Sequence, residues 1–173
     1  CSSDLGELTL RENQIAYAEP SFFRLFDFEL LKGDKKTCLS MPGQVVITER
    51  IASKYFKDED PIGKIFIFTG AYDKISCEVT GVMKEMPSNS HIHYSFLISY
   101  KSLPKYMQEY WYKHEAYTYV LLDSPERKAE IEREFPVMAE KYKTDEALKN
   151  KTWGVSLIPL ADIHLTPQVG YEA

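Results

Sequence analysis

The chain has 173 residues, enough for one hydrophobic core or two small lobes, and its 13% aromatic content argues against disorder. Lys and Arg number 21 against 26 Asp and Glu, and no basic block stands out, so a nucleic-acid partner is not expected. The longest apolar runs are far shorter than the roughly 20 residues that cross a bilayer, and no signal-peptide core begins the chain. The sequence therefore predicts a folded, soluble piece.

The first forty residues predict a strand, a short helix and a loop. Residues 1–12 are polar and lack a clear period, so we interpret them as a loose lead-in to a strand that starts near Ile15. Ser21 is placed to cap a short helix. The aromatic residues that follow could form an apolar binding face, but their helical spacing favours the core for Phe22, Phe23, Phe26 and Phe28.

The stretch from Val45 to Lys64 predicts a strand that runs directly into a helix, and the rest of the chain is organised around it. Its first residues are β-branched and apolar, as in a buried strand, and Thr48 can cap the helix. The apolar face of that helix is predicted to consist of Ile51, Ala52, Tyr55 and Phe56.

An acidic turn is predicted where this helix ends. Asp58-Glu59-Asp60 cannot be buried cheaply, and Pro61 with Gly63 then forces the chain to turn. The run could bind a cation, but the alternating oxygen ligands of a calcium loop are missing, so we interpret it as a solvated turn.

The middle of the chain shows the period of two that is typical of strands. Residues 64–83 predict a β-hairpin with Ile75, Cys77 and Val79 on one face, and a further strand is predicted over 94–100. Ser102 to Trp111 predicts a short helix.

The C-terminal part predicts a second β-α-β unit. Residues 116–122 and 153–160 are predicted as strands on either side of a helix over 125–142. Ser124 and Pro125 are typical of a helix start, and Pro136 is expected to break or kink the helix.

No motif for nucleotide binding, hydrolysis or a common metal site is present, so no catalytic residue, cofactor or metal is predicted. His91 and His93 would share one side of a strand, where Glu78 or His114 could join them at a metal. Hydrogen bonds from these histidines to the loop backbone are the favoured interpretation.

An exposed aromatic surface for a protein partner is predicted in a polar segment without a clean period. Such segments leave large rings in contact with solvent, and aromatic residues are enriched at interfaces. The residues of this aromatic segment are Tyr106, Tyr110, Trp111 and Tyr112.

The three cysteines match no zinc spacing. A disulfide between Cys38 and Cys77 is compatible with the sequence but not indicated by it, and free buried thiols are the simpler interpretation. Cys1 would suit the acylated start of a lipoprotein, although an arbitrary boundary of the chain explains it equally well.

Six stretches between about residues 15 and 165 carry a family resemblance because they occur together and in one order. They are SFF…FDF…LKGD (21–34), VITE…A…YF (46–56), DEDPIGK (58–64), VTGVM (79–83), PSNSH (87–91) and PL…IHL (159–165). In these stretches the chain resembles the periplasmic core domain of MacB-like, FtsX-type ABC transporter permeases, particularly the short forms common in Bacteroidetes. Lys57 departs from the pattern, since the family often has Gly after Tyr-Phe.

The resemblance implies an α+β fold made of a split porter-like β-α-β lobe, residues 1–57 with 116–173, and an inserted hairpin-rich sabre-like lobe, residues 58–115. It further implies that the domain lies in the periplasm, between two transmembrane helices of an inner-membrane permease. By the same resemblance ATP is hydrolysed by a separate cytoplasmic subunit or domain, so this piece is not an enzyme. Its expected partners are its own transmembrane helices, that ATPase, a second permease copy and a periplasmic adaptor or substrate. A free periplasmic lipoprotein or binding module anchored at Cys1 is the alternative.

Overall fold

The computed structural model describes residues 12–69, 74–108, 116–143 and 149–165. It divides into two compact units, Cys1–Leu103 and Pro104–Ala173. Among the described residues, no helix is both long and apolar enough to cross a membrane.

The first unit contains six strands and two α-helices within its described residues, and a 3₁₀ turn (Tyr100–Ser102) follows the last strand. In chain order the strands and helices are β1 (Ile15–Ala18), α1 (Phe22–Leu25), β2 (Leu30–Lys32), β3 (Gln44–Thr48), α2 (Glu49–Phe56), β4 (Ile65–Thr69), β5 (Lys74–Met83) and β6 (Phe96–Ser99).

All six strands belong to one mixed sheet in the order β1-β6-β3-β5-β2, with β4 paired to β5. The strand β3 runs parallel to β5 and antiparallel to β6, and β1 runs parallel to β6. Both central strands β3 and β6 are buried along almost their whole length. Strands that are buried on both faces read as continuous apolar runs, as Val45–Ile47 does.

The predicted strand–helix corner is confirmed. The Thr48 hydroxyl accepts a hydrogen bond from the Ile51 N–H at 3.5 Å, so Thr48 caps α2 as expected. Ile51 and Phe56 are buried on the face that packs against the sheet, and Ala52 and Tyr55 are half-buried beside them.

The predicted hairpin is confirmed as β4 and β5, whose antiparallel register places Phe66 opposite Cys77 and Phe68 opposite Ile75. Cys77 and Val79 are buried on the face predicted for them. Cys38 and Cys77 are both buried and free, so the simpler interpretation of the thiols is confirmed.

The short helix after Pro20 is confirmed as α1, but Ser21 does not cap it with its side chain. The Ser21 hydroxyl instead donates to a Glu19 carboxylate oxygen at 3.3 Å. Ser21 itself has a helical backbone conformation. This differs from the extended conformation in which a capping side chain reaches the N–H groups of the first turn.

The second unit contains α3 (Lys105–Gln108), α4 (Arg127–Glu140) and a 3₁₀ helix (Leu160–Leu165) among its described residues. The strands predicted over 116–122 and 153–160 are wrong, because 116–122 and 153–159 are irregular and Leu160 begins the 3₁₀ helix. Alternating side chains give a strand only where a regular backbone ladder forms, and no such ladder is assigned to either segment.

The helix predicted over 125–142 is confirmed as α4, with two corrections. It begins at Arg127, and Ser124 and Pro125 lie in the turn before it. Of the break or kink predicted at Pro136, the break does not occur, because α4 continues through this residue. Pro136 is exposed, so water can satisfy the Glu132 carbonyl that a proline cannot bond.

The α+β class is confirmed. The predicted boundaries of the porter-like and sabre-like lobes stay a prediction.

Candidate interaction surface and joint

The predicted aromatic segment is described only at its first residue. Tyr106 lies on α3 with 66% of its surface exposed, next to the exposed Met107. Tyr110, Trp111 and Tyr112 lie outside the described residues. The aromatic segment as a partner surface therefore stays a prediction.

The acidic turn after α2, residues 57–64, is called the joint here, because the two predicted lobes would meet within it, at residues 58–64. It begins at Lys57, whose φ of 55° makes it the one described non-glycine residue with a positive φ. Lys57 donates its N–H to the Ser53 carbonyl at 3.1 Å, and Glu59 donates to the Phe56 carbonyl at 2.9 Å. Lys57 therefore occupies a left-handed position that glycine fits best, which gives a physical reason for the glycine expected there.

Asp60 ties the joint to β2. Its carboxylate accepts the Ile62 N–H at 3.2 Å and the Lys32 ammonium at 3.0 Å. The backbone N–H of Ile62 is the main reason that the pKa of Asp60 is lowered, and Lys32 adds to the effect. The side chains are exposed, so this pair contributes to position more than to stability.

One further contact lies within the joint, and another connects the joint to β5. Lys64 binds the Glu59 carboxylate at 2.8 Å, which lowers the pKa of Glu59. Gly63, with φ of 79°, donates its N–H to the Val79 carbonyl at 2.9 Å. The acidic run is thus exposed, as predicted, while the turn that carries it is held in place.

A polar network joins the segment before β1 to helix α2. The Glu12 carboxylate accepts hydrogen bonds from the Lys54 ammonium at 2.5 Å and the Tyr55 hydroxyl at 2.9 Å. The hydrogen bond from Lys54 is the main reason that the pKa of Glu12 is lowered. Burial, with the Glu12 carboxylate as a second cause, raises the pKa of Tyr55 to about 12.

A second link lies alongside the first. The Arg50 guanidinium donates to the Ser95 hydroxyl at 2.7 Å, and that hydroxyl donates to the Gln14 side-chain oxygen at 2.7 Å. The Gln14 carbonyl also accepts the N–H groups of Ser95 and Phe96. Helix α2 is therefore connected twice to the few residues that lead into β1.

Sequence reasoning missed this network. Glu12 was assigned to the loose lead-in, and the structure corrects that assignment for this residue. A partial signal was present, because the Tyr55 hydroxyl on an apolar helix face requires a hydrogen-bond partner. A single sequence does not show that the partner lies 43 residues earlier.

The phenylalanines of the first unit pack on one another, as the core interpretation predicts. Phe23 is buried, and Phe22, Phe26 and Phe28 are half-buried with ring centroids 5.1 to 6.0 Å apart. The ring centroids of His91 and Phe26 lie 6.2 Å apart. No group of three or more metal-ligating side chains occurs within the described ranges, and His114 lies outside them.

Comparison with known families gives one match over most of the chain. The model of the MacB-like periplasmic core domain matches residues 3–136. No curated protein matches the chain.

Two solved structures align with this chain, and the first of them is similar in fold. One is a domain of a protein described as a permease from Porphyromonas gingivalis, with a TM-score of 0.61 and 21% identity over 78% of this chain. The other is the periplasmic region of MacB from Actinobacillus actinomycetemcomitans, with a TM-score of 0.43 and 16% identity over 71% of this chain. The alignments span 61% and 53% of those two chains, respectively.

Proposed function

Because the chain belongs to the family of MacB-like periplasmic core domains, we propose that it is the periplasmic domain of an ABC transporter permease in the inner membrane. The family match over residues 3–136 is the observation that carries this proposal. ATP is bound and hydrolysed by a separate cytoplasmic subunit or domain. This domain transmits the resulting movement to a periplasmic partner or substrate.

The mechanism we propose is that of a lever. Two copies in a permease dimer approach and separate as ATP cycles, and this movement changes a surface that meets the partner. Such a device needs rigid parts rather than catalytic groups. The buried strands β3 and β6, and the joint held by Asp60, Glu59 and Gly63, support that requirement.

The joint is where the two lobes would hold against each other, because β3 pairs with β5 and β6 in one sheet. We propose that residues 58–115 form the inserted lobe and that the turn at 57–64 carries force into it. Hydrogen bonds from the turn to β2 and β5 support a joint that holds its shape.

A spectroscopic distance measurement tests the lever in the complete permease with its ATPase. Ile62 lies in the joint and is 40% exposed, so Ile62→Cys provides a site for a spin label. Cys38 and Cys77 are buried and are not expected to be labelled, and Cys1→Ser removes the third cysteine. The distance between the two labels should change between the ATP-bound and ADP-bound states.

An unchanged distance between the labels in all nucleotide states would overturn the lever. A purified domain that hydrolysed a peptide, glycan or ester at a useful rate would contradict the non-enzymatic role.

We propose the aromatic segment as the surface that meets the partner. The double variant Tyr110→Ser with Trp111→Ser should weaken transport or partner binding while the fold is kept. Leu121→Ser is the matched control, because Leu121 is an exposed apolar residue of the same unit. Unchanged binding in the double variant, or an equal loss in the control, would remove the aromatic segment as a candidate.

A further inference from the structure

One side chain of α2 contacts two distant parts of the first unit. The Tyr55 hydroxyl donates to the Glu12 carboxylate at 2.9 Å, while the Tyr55 ring meets the Phe66 ring edge-on, with centroids 5.2 Å apart. Glu12 precedes β1 by three residues, and Phe66 lies on β4. Tyr55 therefore touches the lead-in segment with its polar end and the β4–β5 hairpin with its ring.

The contact at the hydroxyl is held firmly. Lys54 binds the same carboxylate as Tyr55, and the Glu12 side chain is only 20% exposed, while the Lys54 side chain is 43% exposed, so solvent screens the ion pair in part. Two residues later, Gln14 is fixed by the Ser95 hydroxyl and by two backbone hydrogen bonds. A displacement of the segment before β1 must therefore either move Tyr55 or break these bonds.

The contact at the ring continues into the hairpin and the core. Phe66 also packs edge-on against Phe56 on α2 and Phe96 on β6, with centroids 5.5 and 5.4 Å apart. Opposite Phe66 in the hairpin is the buried Cys77. Aromatic edge-to-face pairs have a preferred geometry, so a shift of one ring changes the position that suits its neighbours.

We propose that Tyr55 is a positioning residue that couples the segment leading into β1 to the β4–β5 hairpin. Its use in transport rests on the proposed function, in which a transmembrane helix precedes this segment and movement has to reach the inserted lobe. The coupling itself is a property of the domain alone. It predicts that the loss of the Glu12 contact loosens the β4–β5 hairpin. It also predicts that this effect depends on the Tyr55 hydroxyl.

Native-state hydrogen exchange on the 173-residue chain tests the coupling, because amides report local opening segment by segment. Glu12→Gln keeps the shape of the side chain and removes its charge, and Tyr55→Phe keeps the ring and removes the hydroxyl. Each should raise amide exchange about fivefold in β4 and β5, the effect of one lost hydrogen bond. Amides of α1 serve as the reference for global destabilisation.

The double variant distinguishes coupling from two independent effects. If the Tyr55 hydroxyl carries the effect, Glu12→Gln should add little at β4 and β5 once Tyr55→Phe is present. Multiplicative effects, or faster exchange confined to β1, would overturn the proposal. Should Glu12→Gln fail to fold, Lys54→Met with Tyr55→Phe provides the same comparison, since Lys54 holds the same carboxylate.

A matched control breaks an ion pair elsewhere in the same unit. Lys35→Met removes the exposed pair of Lys35 with Asp27 at 3.1 Å and should leave hairpin exchange unchanged. A hairpin response as large as that of Glu12→Gln would overturn the proposal. These measurements need no transporter, so their failure leaves the proposed function standing. An unchanged label distance in the permease would instead overturn the lever and leave the coupling.

Discussion

Gly33 and Thr80 approach so closely that a Cβ atom on Gly33 would lie 2.4 Å from the Thr80 carbonyl oxygen. Gly33 also has φ of 95°, a conformation that residues with a side chain rarely adopt. We expect Gly33→Ala to lower the free energy of unfolding by about 3 kcal/mol. Denaturant unfolding measures this, and Gly154→Ala, where no atom lies within 4 Å, should have little effect. Equal losses in both variants would contradict the packing explanation.

Replacing Lys57 by glycine should stabilise the fold. Its φ of 55° costs free energy for a residue with a side chain, while glycine adopts it readily. We expect Lys57→Gly to raise the free energy of unfolding by about 1 kcal/mol after the greater chain entropy of glycine is subtracted. Lys36→Gly, at an exposed lysine without a positive φ, should destabilise instead. The same sign for both variants would contradict the strain at Lys57.

Phe96 anchors the aromatic packing of the sheet. It is 1% exposed, and the Phe66 and Phe68 rings each lie 5.4 Å away and nearly perpendicular to it. Phe96→Leu should lower the free energy of unfolding by about 2 kcal/mol, because two aromatic pairs are lost. Tyr106→Leu, on the exposed face of α3, should change it by less than about 0.5 kcal/mol. Thermal or denaturant unfolding of the two variants makes the comparison.

The two buried thiols should be unreactive in the folded protein. Burial raises the pKa of both Cys38 and Cys77 to about 11, and the thiolate is the nucleophile. At pH 8 we expect alkylation of both to be far slower in the folded chain than after unfolding. Peptide mass mapping assigns the modified residue. Rapid modification of either thiol under native conditions would show that it is accessible.

Lowering the pH should lower the free energy of unfolding, in part because Glu12 becomes protonated. Lys54 and Tyr55 hold the pKa of this carboxyl below its ordinary 4.5, so the unfolded chain binds the proton first as the pH falls. The stabilising effect is therefore complete above 4.5 and is lost as the pH falls through the lower folded-state pKa. Glu12→Gln and Lys54→Met should both flatten the pH dependence of unfolding as the pH falls below 4.5. Unchanged slopes would show that the contact contributes nothing.

The sequence alone predicted the local elements whose signals lie within a few residues. The cap at Thr48, the buried run Val45–Ile47 and the hairpin of β4 with β5 follow from residue type and spacing, and the structure confirms them. Its failures occurred where a pattern needs a pairing partner elsewhere in the chain. The segments 116–122 and 153–160 have the alternation typical of strands, but neither forms a strand.

The order of the six motifs along the chain also identified the family, and the family model matches residues 3–136. Only the tertiary structure decided which distant residues meet. In the structure β1 pairs with β6, the Tyr55 hydroxyl donates a hydrogen bond to Glu12, and Gly33 lies close to the Thr80 carbonyl. The physical reason is that side-chain periodicity specifies which face of an element is buried. The partner that covers that face is chosen by packing and hydrogen bonding between segments far apart in the chain.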